Sequence, residues 1–309
     1  MNEVRREPLT IESICSPLTV EEFVNEYMGK RPVLLKGPRP LQHLIDKEGV
    51  FRLCANPKAD VFAGVIDPKG AFHQILIKND NATHLYATGW SLQVEELHLF
   101  LPEFMELSNT VRDGLGIYSS MEMGIMLSQP GKGYSLHYDP NPDTWIFQIF
   151  GRKKWTYSKK AAVHRPLAYS LLPRGDKKPS SSSPHYTIDR PDESDLETVI
   201  LEPGDVFYFV GGTWHAAEAI DECCHVILGS ANAPWTDVVY SALTKRLLPN
   251  PEWRHIPEDN PARHEHLDSV AKQRLAELRK AVAELTPEEL LAAVELGRAE
   301  KRKGAYRQK

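Results

Sequence analysis

The sequence predicts a mainly β protein with helical flanks, its centre a β-barrel or double-sheet jelly roll. Three observations carry this. From about residue 118 to 235, short runs rich in β-branched and aromatic residues (MEMGIMLSQPG, DTWIFQIFG, KKWTYS, ETVILEPGD, VFYFVGG, CHVILGSA) are divided by Gly, Pro and Asp. Before 118 much of the apolar spacing is helical, and after Trp235 the helical period returns. The expected division is a flank of mixed helix and strand over 1–117, a β core over 118–235 and a helical region over 236–309.

Each element has a local reason. LTVEEFVNEYMGK (18–30) reads as a helix, with Thr19 as its cap and Glu22 completing a capping box. RPVLLKG (31–37) reads as a short buried strand ending at Gly37. Residues 84–118 are expected to be mostly helical by their apolar spacing. The stretch 173–195, PRGDKKPSSSSPHYTIDRPDESD, interrupts the core. Its Ser-Pro-Lys composition predicts a mobile insertion, either a plain surface loop or a lid. In 265–284, Leu267, Val270, Leu275, Leu278 and Val282 line one helical face. A further helix is expected to start at Thr286-Pro287-Glu288-Glu289, a cap followed by proline in the first turn. Its apolar positions Leu290, Leu291, Val294 and Leu296 need a partner, either the barrel or another subunit.

With 309 residues, the chain is long enough for a sizeable buried core. A net charge of −5 argues against non-specific nucleic-acid binding. No run of 18 apolar residues suggests a membrane span, and MNEVRREPLTIES lacks the apolar core of a secretory signal. Cys15, Cys54, Cys223 and Cys224 show neither CxxC nor zinc-site spacing, so free thiols in a reducing cytoplasm are expected.

The chemistry-bearing residues are His137 and Asp139, in SLHYDPNPDTW, and His215, in LEPGDVFYFVGGTWHAAEA. Residues two apart on a strand share a face, so His137 and Asp139 can reach one ion. His215 follows a PGD turn, a buried strand and Gly211-Gly212. Two imidazoles and one carboxylate are the set that binds Fe(II) on one face and leaves the opposite positions open. His225 also falls on an expected strand and reads as a core histidine. His264 and His266 fall on different helical faces, and His73, His84 and His98 have no partner pattern.

The segment GYSLHYDPNPDTWIFQIFGRKKWTYS followed by LEPGDVFYFVGGTWH resembles the JmjC-type, cupin-like 2-oxoglutarate oxygenases. Within that family it is similar to the ribosomal-protein hydroxylases and to the asparaginyl hydroxylase of the hypoxia pathway. The resemblance covers roughly 18–235 and implies a double-stranded β-helix. It implies Fe(II) on His137, Asp139 and His215, with O2 and 2-oxoglutarate as co-substrates. It places the far carboxylate of 2-oxoglutarate on a basic residue two positions after a glycine. In Gln148-Ile149-Phe150-Gly151-Arg152-Lys153-Lys154-Trp155 this is Lys153, with Arg152 or Lys154 in its place if the register shifts by one. Tyr134 and Ser230 match positions where relatives place polar co-substrate contacts, and Trp214 and Asn141 are candidates for the pocket mouth. The stretch between Asp139 and Gly151 is one residue longer than in the relatives, which suggests a bulge after Asp139.

The activity so implied is hydroxylation of an amino-acid side chain in a protein or peptide, coupled to decarboxylation of 2-oxoglutarate to succinate. Oxidation of a free amino acid or small metabolite is the alternative with the same chemistry. A non-catalytic metal-binding cupin is the alternative from a different class. Lysine demethylation usually comes with histone-reading or zinc modules, and the sequence has none. An intact carboxylate at Asp139 argues against a halogenase. The resemblance also implies a homodimer built through the C-terminal helices.

Overall fold

The computed structural model describes residues 9–67, 72–78, 81–167, 170–171, 180–181, 191–231, 234–257 and 266–295. The chain forms two compact units, 1–232 and 233–308.

The first unit begins with α1 (Ile11–Cys15) and α2 (Val20–Glu26), each closed by a capping box; Thr19 and Glu22 form the second. Next come β1 (Val33–Leu35), α3 (Lys47–Cys54), β2 (Val61–Ile66), β3 (Phe72–Ile77), α4 (Ala82–Ala87), β4 (Ser91–Glu95) and α5 (Pro102–Gly114). The β-rich part holds β5 (Met121–Ser128), β6 (Gly133–Tyr138), β7 (Asp143–Phe150) and β8 (Lys153–Ser158). It continues with β9 (Ser170–Leu171), β10 (Ser180–Ser181), β11 (Leu196–Leu201), β12 (Val206–Val210), β13 (His215–Ala219) and β14 (Cys223–Ser230).

These strands form two antiparallel sheets. One has the order β1-β12-β7-β14-β5-β4-β2-β3, the other β10-β9-β6-β13-β8-β11. Successive strands β5 to β8 and β11 to β14 alternate between the sheets in the manner of a jelly roll. The expected fold class is therefore the observed one. The largest core cluster joins β5, β7, β12 and β14 to the N-terminal helices, with Phe23, Val50, Phe104, Phe147, Tyr208 and Val226 all fully buried. A second cluster, around Trp155, Phe207 and Phe209, fills the space between the sheets. Arg39 ties the N-terminal segment to this body. Its guanidinium donates to the carbonyls of Ser13 (2.7 Å), Leu35 (2.9 Å), Gly204 (3.1 Å), Ile14 (3.0 Å) and Ser16. The four cysteines are free and buried.

The expectation of helix across 84–118 needs correction. Ser91–Glu95 is a strand, paired with β2 on one side and β5 on the other. Leu92 and Val94 are fully buried there, and pairing partners far away in sequence outweigh the local helical spacing. Most of 173–195, where a mobile insertion was expected, lies outside the described residues.

The second unit contains α6 (Trp235–Leu247), α7 (Leu267–Ala283) and a helix α8 over 287–295. Thr286 and Glu289 cap α8 reciprocally, as the sequence predicts. Val238 and Ala242 of α6 pack with Leu285, Leu290, Ala293 and Val294. Arg246 pairs with Glu289 at 2.8 Å. No helix among the described residues is long and apolar enough to cross a membrane.

Candidate active site

His137 is the fifth residue of β6, and His215 opens the neighbouring strand β13, directly opposite it. Asp139 lies one residue beyond the end of β6, where the chain crosses to the other sheet at β7. Two glycines make this crossing possible. A side chain at Gly211 would meet the Asn141 carbonyl at 2.6 Å, and Gly212 (φ +83°) would meet the Val163 carbonyl at 2.1 Å. Free of side chains, they donate to Pro142 O (3.2 Å) and Asp139 O (3.0 Å), which holds Asp139 against the start of β13. No bulge is needed after Asp139, because the Pro-Asn-Pro segment is the crossing itself. The register irregularity lies instead between His215 and Ala217.

The three side chains converge. One ligand atom from each of His137, Asp139 and His215 lies within 4.8 Å of the others. His137 Nδ1 donates to the Ser135 carbonyl at 2.7 Å, and His215 Nδ1 to the Thr213 carbonyl at 2.9 Å. With Nδ1 protonated, each ring presents an Nε2 lone pair. Those lone pairs face the carboxylate at 3.9 Å from His137 and 3.5 Å from His215. Burial, together with the neighbouring His215, holds His137 down to about 4, so it is neutral at physiological pH. Two lone pairs and an anion aimed at one point repel one another unless a cation sits between them, so the donor set fits a divalent metal.

The three residues line a cavity of about 500 Å³ together with Tyr134, Lys153, Trp155, Phe209 and His225. β8 alternates in burial. Lys153, Trp155 and Tyr157 turn inward. Arg152 and Lys154 turn outward and pair with Asp221 (2.7 Å) and Glu218 (2.7 Å). Lys153 is thus the basic residue that the register brings to the cavity. It is fully buried and donates to Ser128 Oγ at 3.3 Å. It makes no ion pair among the described residues. Burial lowers its pKa, against the opposing pull of Cys223 and Cys224. A buried ammonium with no counter-ion among the described residues, in the same cavity as a candidate metal triad, fits a ligand that carries its own carboxylate.

The other candidates divide. Tyr134 lines the cavity and donates to Gln93 Oε1 at 2.9 Å. Ser230 does not reach it. Its hydroxyl accepts from the Asp143 backbone N–H at 3.0 Å, and on β14 it alternates with the cavity-lining His225 and Ile227, which puts it on the opposite face. Trp214 is buried edge-on against Tyr138 (5.0 Å), away from the mouth. Asn141 donates to Glu122 (3.1 Å) and the Ser230 carbonyl (3.1 Å) instead of lining the cavity. The sequence reading missed Gln74, Gln93 and Thr144, all of which line the cavity, and it placed His225 in the core. The available signal was a polar residue within an apolar strand run; His225 alternates with Val226 and Leu228, so it must face away from them.

Residues 101–238 match the JmjC domain family. The β core of this chain is thus similar to JmjC domains. Among curated relatives, this chain is 26% identical over 296 residues to the uncharacterized protein YxbC of Bacillus subtilis, covering 91% of this chain and 89% of that one. It is 24% identical over 300 residues to the bifunctional lysine-specific demethylase and histidyl-hydroxylase NO66 of Dictyostelium discoideum, covering 89% of this chain and 54% of that protein. It is 30% identical over 214 residues to human ribosomal oxygenase 1, covering 63% of this chain and 31% of the relative. The chain thus spans about half the length of the first of these oxygenases and about a third of the second. The solved structure of YcfD, a ribosomal oxygenase from Escherichia coli in complex with cobalt and 2-oxoglutarate, shares the fold. Its TM-score is 0.60 at 23% identity, over 88% of this chain and 68% of that one.

Proposed function

We propose that this protein is a JmjC-type, Fe(II)- and 2-oxoglutarate-dependent dioxygenase that hydroxylates an amino-acid side chain in a protein. The observation that carries this is one cavity holding both the His137–Asp139–His215 triad and the uncompensated, buried Lys153. The JmjC relationship and the names of the relatives, ribosomal oxygenase and histidyl-hydroxylase, support the same reading.

In this reading His137, Asp139 and His215 hold Fe(II). The Nδ1–H groups of His137 and His215, which donate to the Ser135 and Thr213 carbonyls, keep the rings oriented. Bound there, the metal and co-substrate supply the oxidation: 2-oxoglutarate and O2 become succinate and CO2, and one oxygen atom enters a substrate C–H bond. Lys153 neutralises the far carboxylate. Trp155 and Phe209 pack on His215, at ring distances of 5.9 and 4.5 Å, and keep water from that side of the site. The cavity reaches the surface at β3, where Phe72 and the exposed Gln74 line it. An opening of this kind suits a side chain carried on a polypeptide.

The test is succinate formation from 2-oxoglutarate by the Fe(II)-loaded protein in air, compared with His137→Ala. Turnover in the wild type that disappears in the variant is expected. A wild type that binds neither Fe(II) nor 2-oxoglutarate would overturn the proposal in favour of a non-catalytic barrel.

A further inference from the structure

His225 lies on β14, 1% exposed, and neither of its ring nitrogens has a hydrogen-bond partner among the described residues. A buried polar side chain is nearly always paired, so two orphaned nitrogens on one ring need a reason. Packing does not supply one. The ring meets Trp155 edge-on at 5.5 Å, a contact that a phenyl group would make without leaving a donor and an acceptor unsatisfied. A water-filled surface position does not supply one either, because the ring is buried on the wall of the cavity.

Its neighbours give the reason. β14 is paired in continuous register with β5 on one side and with β7 on the other, where the extra residue, Ile149, belongs to β7. His225 therefore keeps the ordinary alternation of β14 and shares a face with Cys223 and Ile227. The Lys153 ammonium ends at Ser128 Oγ, and Ser128 is the register partner of Cys223, two residues before His225 on the same face of β14. The buried cation and the orphaned imidazole therefore belong to one end of the cavity, the end away from the surface opening at β3. Burial and the adjacent Lys153 both favour the neutral ring, which carries one N–H donor and one acceptor.

We propose that His225 is a second anchor for the far carboxylate of 2-oxoglutarate, donating a ring N–H to one oxygen while Lys153 supplies the charge, so that the pair selects a dicarboxylic keto acid. This rests on the 2-oxoglutarate reading above. Lys153 alone is a point charge that tolerates many anion positions. A planar N–H donor beside it adds direction, and its own desolvation is compensated only when a ligand oxygen arrives.

The test uses full-length protein loaded with Zn(II), which is diamagnetic and does not turn over. Calorimetry measures binding of 2-oxoglutarate and of 2-oxopentanoate, the same keto acid without the far carboxylate. His225→Leu is expected to weaken 2-oxoglutarate about tenfold, with 2-oxopentanoate and Zn(II) affinity unchanged. His225→Asn, which keeps an N–H donor, is expected to recover part of the loss. Long-range nitrogen NMR of the wild type reads the same contact without a substitution: one His225 ring nitrogen shifts on adding 2-oxoglutarate and not on adding 2-oxopentanoate. Equal 2-oxoglutarate affinity in the leucine variant, equal loss of both keto acids, or an unmoved His225 signal in the bound wild type would each overturn the inference and leave the oxygenase reading standing. A Zn(II)-loaded wild type that binds neither keto acid would remove both.

Discussion

Replacing Lys153 with methionine should strengthen the fold while destroying ligand binding, a combination that an ordinary core substitution does not produce. Lys153 is fully buried with one hydrogen bond, to Ser128, and no ion pair among the described residues. The cost of that burial has a ceiling, because the ammonium can always shed its proton. Starting from the ordinary value of 10.5, deprotonation at pH 7 costs about 5 kcal/mol. Methionine has nearly the same length and no charge, and such swaps lose less than about 1.5 kcal/mol of packing. Ser128 still has Ser91 as a partner, at 3.1 Å. The net expectation for Lys153→Met is a gain of roughly 2 kcal/mol, which for a unit of this size raises the melting temperature by about 4–8 °C. The gain also depends on pH. Between the lowered folded-state pKa and 10.5 the unfolded chain holds more protons than the folded one, so wild-type stability rises with pH across that window and the variant's advantage shrinks. Ligand acts in the opposite sense. At a hundred times its Kd, 2-oxoglutarate stabilises the Zn(II)-loaded wild type by about 2.7 kcal/mol, and the variant by none. Thermal unfolding with and without 2-oxoglutarate, at pH 7 and pH 9, reads all of this. A variant that melts below the wild type, or that keeps the ligand-induced shift, would refute the assignment of Lys153 as a cation held unpaired for a carboxylate.

Two further outcomes are expected. A methyl group at Gly133 would lie 1.7 Å from the Ala217 carbonyl, where β6 faces β13, so Gly133→Ala should cost about 3 kcal/mol and weaken Zn(II) binding by displacing His137 from His215; a loss under about 0.5 kcal/mol in urea unfolding with unchanged metal affinity would contradict this. Burial lifts the Glu95 carboxyl from 4.5 to about 7, outweighing the hydrogen bond from Gln93. The folded protein then holds this proton when the unfolded chain has lost it, so wild-type stability falls as pH rises from 4.5 to 7, and Glu95→Gln should flatten that slope by an amount on the order of 2 kcal/mol, seen as a gap in urea midpoints that widens between pH 5 and pH 8. Parallel midpoints for the two proteins would count against it.

The candidate triad was legible in the sequence because its encoding is local. Histidine and aspartate two residues apart share a face wherever the strand ends, and a histidine after a PGD turn, an apolar strand and two glycines is confined to the strand entrance. The β core, the Thr19–Glu22 cap and the Thr286–Glu289 cap were readable for the same reason, since each depends on neighbours within a few residues. What the sequence alone left open depends on partners far along the chain. Ser91–Glu95 carries helical spacing and becomes a strand only because β2 and β5 flank it. Arg152, Lys153 and Lys154 are chemically alike, and pairing of β8 with β11 and β13 turns Lys153 inward. Ser230 and His225 lie on one strand, yet the first is spent on the Asp143 backbone and the second faces the cavity. Periodicity tells which residues share a face. Only the stacking of two sheets decides which face looks into a cavity and which into a closed core, because that choice is made by side chains far along the chain.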